Sequence, residues 1–251
     1  MQFGGYIIGD EILSGKRQDK HLPRLIHALK ARGLQLAWCH YLGDDPQLIT
    51  TALARSFAGD VPVFSFGGIG ATPDDHTRGC AAQAAGVPLA LHPEAEGEIR
   101  ARFGAAVTPQ RLAMGEFPQG SAIIPNPYNR IPGFSLHRHY FLPGFPEMAW
   151  PMMEWVLDTH YRALFDPGRI AEASIIVREA GESQLIQLMN DTMARYPGLK
   201  VFSLPRMEPD RHIELGARGS PQDVAGALAL IQAGVSALGF PWTTVGEGVK
   251  Q

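Results

Sequence analysis

The sequence is poor in cysteine, in charge of a single sign and in long apolar runs. Cys39 and Cys80 are its only thiols. They sit far apart among apolar or small residues, which gives neither a disulfide framework nor a zinc-ligand spacing. A reducing compartment is therefore expected. Lys and Arg number 22 against 25 Asp and Glu, a formal net charge of -3. No global basic field exists to hold a nucleic-acid backbone, so nucleic acid is not expected as a partner. No uninterrupted apolar stretch is long enough to span a bilayer, and no membrane partner is expected. Residues Met1 to Tyr6 lack the basic region and apolar run of a signal peptide, which leads to the expectation of a cytoplasmic protein.

What is present is an ordinary globular composition, with 45% hydrophobic and 19% charged residues in a chain of 251. That length allows one large domain or two small ones, and patterning decides between them. Phe3 to Ile8 is a short apolar run ending at Gly9, which predicts a buried strand delivering Asp10 and Glu11 at its C-terminal end. Leu22, Leu25, Ile26 and Leu29 recur at helical spacing over residues 21–30, and Gly33 supplies the stop. The unit repeats. A strand is predicted over 34–42, a helix over 46–57 opened by Asp44 or Asp45, and a buried strand over 61–66. Helices are predicted over 77–85 and 93–103, short strands with rigid turns over 122–146, and a helix over 148–161 with Pro151 in its first turn.

Strands alternating with helices predict an α/β fold, a parallel sheet covered on both faces in three αβα layers, over residues 1–165. Asp166-Pro167-Gly168 is the linker candidate. A β-α-β-β-α order follows, with strands over 171–178, 199–204 and 212–217 and helices over 183–195 and 221–238. This predicts a small α+β domain over 170–240, with a loose tail over 241–251.

Chemistry concentrates at predicted strand ends. The segment Gly67-Gly68-Ile69-Gly70 joins a buried strand to a helix, where open α/β sheets bind ligands. Its glycines let backbone N–H groups approach phosphate oxygens, and Thr72 adds a hydroxyl donor. The plainer reading is a tight turn without a ligand. Asp74 and Asp75 stand where the next helix begins and read as N-caps. Beside a phosphate loop they would repel a bare phosphate, a conflict that a bridging Mg²⁺ relieves. Asp10 and Glu11 follow the first strand and Asp44 and Asp45 the second, so three acidic loops converge on one sheet edge. Ser14-Gly15-Lys16 offers a hydroxyl and a positive charge to an anion. Pro143 and Gly144 either wall a pocket or form a loop into a helix. His21, His40, His76, His137 and His139 show no metal spacing and are read as structural or surface residues.

Four segments in matching order carry a resemblance: Ile8 to Gly15, the turn Gly43-Asp44-Asp45, the stretch GGIGATPDDHT at 67–77, and Leu142 to Met148. Together they resemble the competence/damage-inducible CinA family, whose molybdopterin-binding domain is like those of MogA and MoaB. Each motif alone is weak, but the ordered set is specific, and it covers residues 3–160. Gly181-Glu182-Ser183 and the region around Pro205 also look like the small α+β domain that follows in CinA-type proteins.

The resemblance implies that Gly67, Gly68, Gly70 and Thr72 hold the phosphate of a molybdopterin or nucleotide, with Asp74, Glu11, Ser14, Gly15, Pro143 and Gly144 around the ligand. Asp75 and Asp44 match motif acids and would bind Mg²⁺. With Asp10 they would position an attacking water for pyrophosphatase action on ADP-ribose or a related nucleotide. The rival implication is a non-catalytic protein that holds molybdopterin or a related phosphorylated ligand. A homo-oligomer is also implied. Ala71 replaces the proline of the family's GGxGPT form, and His21 stands where asparagine is common, which bears on substrate choice. The further domain that carries nicotinamide mononucleotide deamidase activity in many CinA proteins is not expected here.

Overall fold

Phe3, Tyr6, Ile7 and Ile8 leave the first strand buried on both faces, as expected of a central strand in a parallel sheet. The computed structural model describes residues 1–207 and 209–245. It divides into two units, Met1–Phe165 and Asp166–Gln251. In chain order the first contains β1 (Gln2–Ile8), α1 (Asp10–Leu13), α2 (His21–Lys30), β2 (Gln35–Leu42), α3 (Pro46–Phe57), β3 (Val63–Phe66) and α4 (Thr77–Ala85). Then come β4 (Leu89–Leu91), α5 (Pro93–Phe103), α6 (Pro109–Ala113), β5 (Glu116–Pro118), β6 (Ala122–Ile124), β7 (Gly133–Leu136), β8 (His139–Leu142) and α7 (Pro146–His160).

The main sheet has the order β2-β1-β3-β8-β7-β6. Its first four strands are parallel; at one end β7 runs antiparallel to β8, and β6 pairs antiparallel with β7. Successive strand residues point to opposite faces. Phe3, Ile7, Phe64 and Phe66 therefore pack on α2 and α7, while Tyr6, Ile8, Val63 and Phe141 pack beneath α3, α4 and α5. The fold is the expected three-layer α/β arrangement. Because β1, β2, β3 and β8 are parallel, the loops that follow them share one edge of the sheet.

Three local expectations need correction. The third strand begins at Val63, two residues late, since Pro62 has no N–H to give a ladder. A two-stranded ribbon of β4 and β5 was not expected, because three-residue strands leave no periodicity to read. Helix α7 starts at Pro146, which suits the first helical position, so Pro151 lies past the first turn inside the helix and removes one helix hydrogen bond.

The second unit contains β9 (Ala171–Val177), α8 (Glu182–Arg195), β10 (Lys200–Arg206), β11 (His212–Gly219), α9 (Pro221–Ala237) and β12 (Trp242–Thr244). Its antiparallel sheet has the order β10-β11-β9-β12. Ile175, Val177, Leu215 and Ala217 share a core with Leu185 of α8 and Val224, Ala227, Ile231 and Val235 of α9. Residues 242–244, expected in a loose tail, instead pair with β9, held by a hydrogen bond from the Trp242 indole to Ser236 Oγ at 2.9 Å. The rest of that expected tail, from residue 246 on, lies outside the described residues.

Candidate functional site

Gly67 has φ 105°, and a Cβ there would meet the Ile8 carbonyl oxygen at 2.1 Å. Gly68 has φ 68°, and its Cβ would meet Thr77 Oγ1 at 2.3 Å. Both positions therefore demand glycine. The loop turns its carbonyls inward. Gly67 O accepts from Thr77 Oγ1 at 3.1 Å, Gly68 O from Thr77 N at 2.9 Å, and Gly70 O from Arg78 Nη2 at 2.7 Å. In a trans peptide the C=O and the next N–H point opposite ways, so the amides of Gly68, Ile69 and Ala71 face away from these partners. No amide from Gly68 to Ala71 finds an acceptor among the described residues. A run of outward amides of this kind can receive an anion.

Asp74 and Asp75 do not cap α4, contrary to expectation. The N-cap position is His76, with no side-chain hydrogen bond. Asp75 Oδ2 instead accepts from Thr72 N at 2.8 Å and from the Thr72 hydroxyl, which closes the far end of the loop on itself. The expected cap does form one unit earlier: Asp45 Oδ1 accepts from Leu48 N at 2.9 Å at the start of α3.

Asp10 and Asp44 clasp each other's loops. Asp10 N donates to Asp44 Oδ2 at 2.9 Å, and Asp44 N donates to Asp10 Oδ1 at 3.2 Å. Burial pushes the Asp44 carboxyl up, the Asp10 amide opposes this, and the charges of Asp10, Glu11 and Asp74 add to it. Three acidic loops thus converge. No contact joins Asp75 to Asp44, and no group of three His, Cys, Asp or Glu side chains is set to hold a metal among the described residues. Asp10 Oδ2 and Asp44 Oδ1 take no part in the clasp. Mg²⁺ is commonly held by one or two carboxylates together with substrate oxygens and water, and these two oxygens are the carboxylate donors that the clasp leaves unengaged.

Beside the loop opens a cleft of about 380 Å³ at the ends of β1, β3 and β8, with Phe66, His21, Arg17, Lys20, Glu11 and Glu147 in its walls. Gly144 lines it too and lies directly against Gly67, whereas Pro143 is not in its wall. His21 stacks on Phe66 at 4.6 Å and donates from Nε2 to Gly144 O at 3.0 Å. Burial lowers its pKa, and Asp19 accepts from the amides of His21 and Leu22 at the start of α2. Ser14 and Gly15 form an exposed turn away from this cleft, and Gly15 has nothing within 4 Å of a would-be Cβ.

Sequence reasoning missed Arg17 and Lys20; it read the His21 side chain as structural or surface, although the resemblance set that position near the ligand crevice, where it lies. The available signal was the basic pair flanking Asp19 in the first loop. His139 is a core residue as expected: its ring bonds His137 O at 2.9 Å and Ser56 Oγ at 2.7 Å. His40 packs edge-on to Tyr6 and tilted against Trp38.

Residues 6–162 match the model of a family described as a probable molybdopterin binding domain. A CinA-like protein of Myxococcus xanthus is 31% identical over 237 residues, 89% of this chain and 56% of that protein. A protein of Caldivirga maquilingensis is 30% identical over 229 residues, 86% of this chain and 88% of its own length. The crystal structure of CinA, of unknown function, from Thermoplasma acidophilum aligns with a TM-score of 0.57 at 27% identity, over 63% of this chain and 98% of that one. The chain spans about half the length of the CinA-like relatives it matches.

Proposed function

Because the chain belongs to the family of probable molybdopterin binding domains and is CinA-like, we propose that its first unit holds a phosphorylated pterin or nucleotide. The phosphate rests on the Gly67–Ala71 amides and the organic part enters the adjacent cleft. One observation carries this reading: the carbonyls of Gly67, Gly68 and Gly70 are spent on Thr77 and Arg78, which leaves the amides of Gly68, Ile69 and Ala71 turned outward without acceptors among the described residues. A short stretch of peptide so arranged favours an anion. Arg17 and Lys20 add positive charge in the cleft wall.

The finer reading is cleavage of a diphosphate such as that of ADP-ribose. Asp44 and Asp10 would hold a Mg²⁺ brought by the ligand, and the cation would neutralise charge on the phosphates. Asp75 serves by fixing Thr72 and the end of the loop. Retention of the ligand without chemistry is the second reading, supported by the family's description, which names binding.

The test incubates the purified chain with ADP-ribose, ADP and a phosphorylated pterin, with and without Mg²⁺, and follows products by chromatography beside Asp44→Asn and Asp75→Ala. Mg²⁺-dependent cleavage lost in Asp44→Asn supports the hydrolase. Saturable binding with no product supports retention, and no binding of any of the three overturns both.

A further inference from the structure

The side chain of Arg78 is enclosed beneath the glycine loop, with the residue only 9% exposed. Its Nη2 donates to Gly70 O at 2.7 Å, and its Nη1 donates to Glu116 O at 3.1 Å and to Ala113 O. Every acceptor is a backbone carbonyl. Asp75 and Glu116 act on the guanidinium through the field, yet no carboxylate forms an ion pair with it among the described residues. Buried charges are ordinarily paired, because removing one from water without a counter-charge is costly. A residue serving packing alone would not need a charge here. The planar fork of arginine, however, spreads its donors over separate nitrogens, here Nη1 and Nη2, to reach carbonyls of separate segments, a span that lysine's single ammonium nitrogen does not offer.

We propose that Arg78 is the positioning residue of this loop: by gripping the Gly70 carbonyl it turns the Ala71 amide outward, and it adds positive charge beneath the bound anion. The inference rests on the reading of the loop as a phosphate site. It also divides the labour between neighbours. Thr77 orients the Gly68 and Ile69 amides through the Gly67 and Gly68 carbonyls, whereas Arg78 orients Ala71 alone. The segment that ends α6 and the start of β5 are thereby coupled to the loop, since they supply the other two acceptors.

The test uses inorganic pyrophosphate as the probe on the full chain, with Arg78→Met and Arg78→Lys. Affinity is read by calorimetry and the loop amides by nuclear magnetic resonance. In the wild type, pyrophosphate shifts both the Gly68 and Ala71 amide resonances. In Arg78→Met the dissociation constant rises about tenfold or more, and the Ala71 response disappears while that of Gly68 persists. General loosening of the fold would remove both together. Arg78→Lys restores part of the affinity, and the ratio of pyrophosphate to monophosphate affinity stays closer to the wild type than in the methionine variant.

If the wild type does not bind pyrophosphate, the phosphate reading of the loop falls and this inference falls with it. If the wild type binds, and folded Arg78→Met binds within twofold of it with the Ala71 response intact, Arg78 is not the positioning residue and the loop reading stands. Should Arg78→Met fail to fold, Arg78→Lys decides: a several-fold loss at an almost unchanged melting temperature supports the proposal, and unchanged affinity overturns it.

Discussion

Replacing Gly67 with alanine is expected to lower the unfolding temperature of the first unit by about 6–12 °C. Two costs add. The backbone at φ 105° lies where side chains are strained, at about 1–3 kcal/mol. The new methyl would also stand 2.1 Å from the Ile8 carbonyl oxygen. That carbonyl cannot withdraw, because β1 is paired to β2 on one side and β3 on the other, so the loop itself must shift. A combined loss of about 3 kcal/mol, at about 2–4 °C per kcal/mol for a unit of this size, gives the stated range. Gly15→Ala is the internal control. Its φ of 73° is also positive but nothing lies within 4 Å, so only the conformational cost of about 1 kcal/mol applies. Thermal melts followed by circular dichroism compare the two. If Gly67→Ala melts no lower than Gly15→Ala, the steric part of the reasoning is wrong.

His139 is fully buried, and burial pushes its imidazole down to about 4 from an ordinary 6.5. Between those values the unfolded chain takes up a proton that the native site refuses, so stability falls as pH drops from 6.5 towards 4. The loss is at most about 3 kcal/mol. Urea midpoints at pH 7.5 and 5 measure it, and a His139→Gln variant with the same pH slope as the wild type would contradict the assignment. Asp45→Ala removes the cap of α3 and should cost about 1 kcal/mol in chemical denaturation. Asp44→Ala, one residue away, leaves that helix end intact, and equal losses in the two would show that the cap is not what Asp45 contributes.

The parts of the fold that were legible were those with long periodic runs. The spacing of Leu22, Leu25, Ile26 and Leu29 located α2 (His21–Lys30) to the residue, and α3 and α4 likewise matched. Boundaries slipped where two rules competed. Pro146 and Pro151 both qualified as a first-turn proline, and a pattern read from Met148 picked the wrong one. At the site, the glycine positions and the convergence of acidic loops were readable because strand ends in a parallel sheet share an edge. The roles of Asp75 and Thr72 were not, since an acid before a helix looks the same whether it caps the helix or closes the preceding turn. For Arg17 and Lys20 the basic character of the loop was legible but not its place in the cleft, because the loop between α1 and α2 has no period to orient it. Arg78 looked like any residue of an alanine-rich helix, as its acceptors lie 35 and 38 positions downstream.

Those distant acceptors bear on how the motif can be transplanted. Residues 67–77 cut out and grafted onto another α/β scaffold would bring the glycines and the threonine, but Gly70 would lose the guanidinium that orients its peptide. A guanidinium grafted with it would arrive without Ala113 and Glu116. The smallest transferable module therefore runs from the end of β3 through β5. A host that accepts this longer module intact is the better recipient for a graft that keeps the loop's peptide orientations.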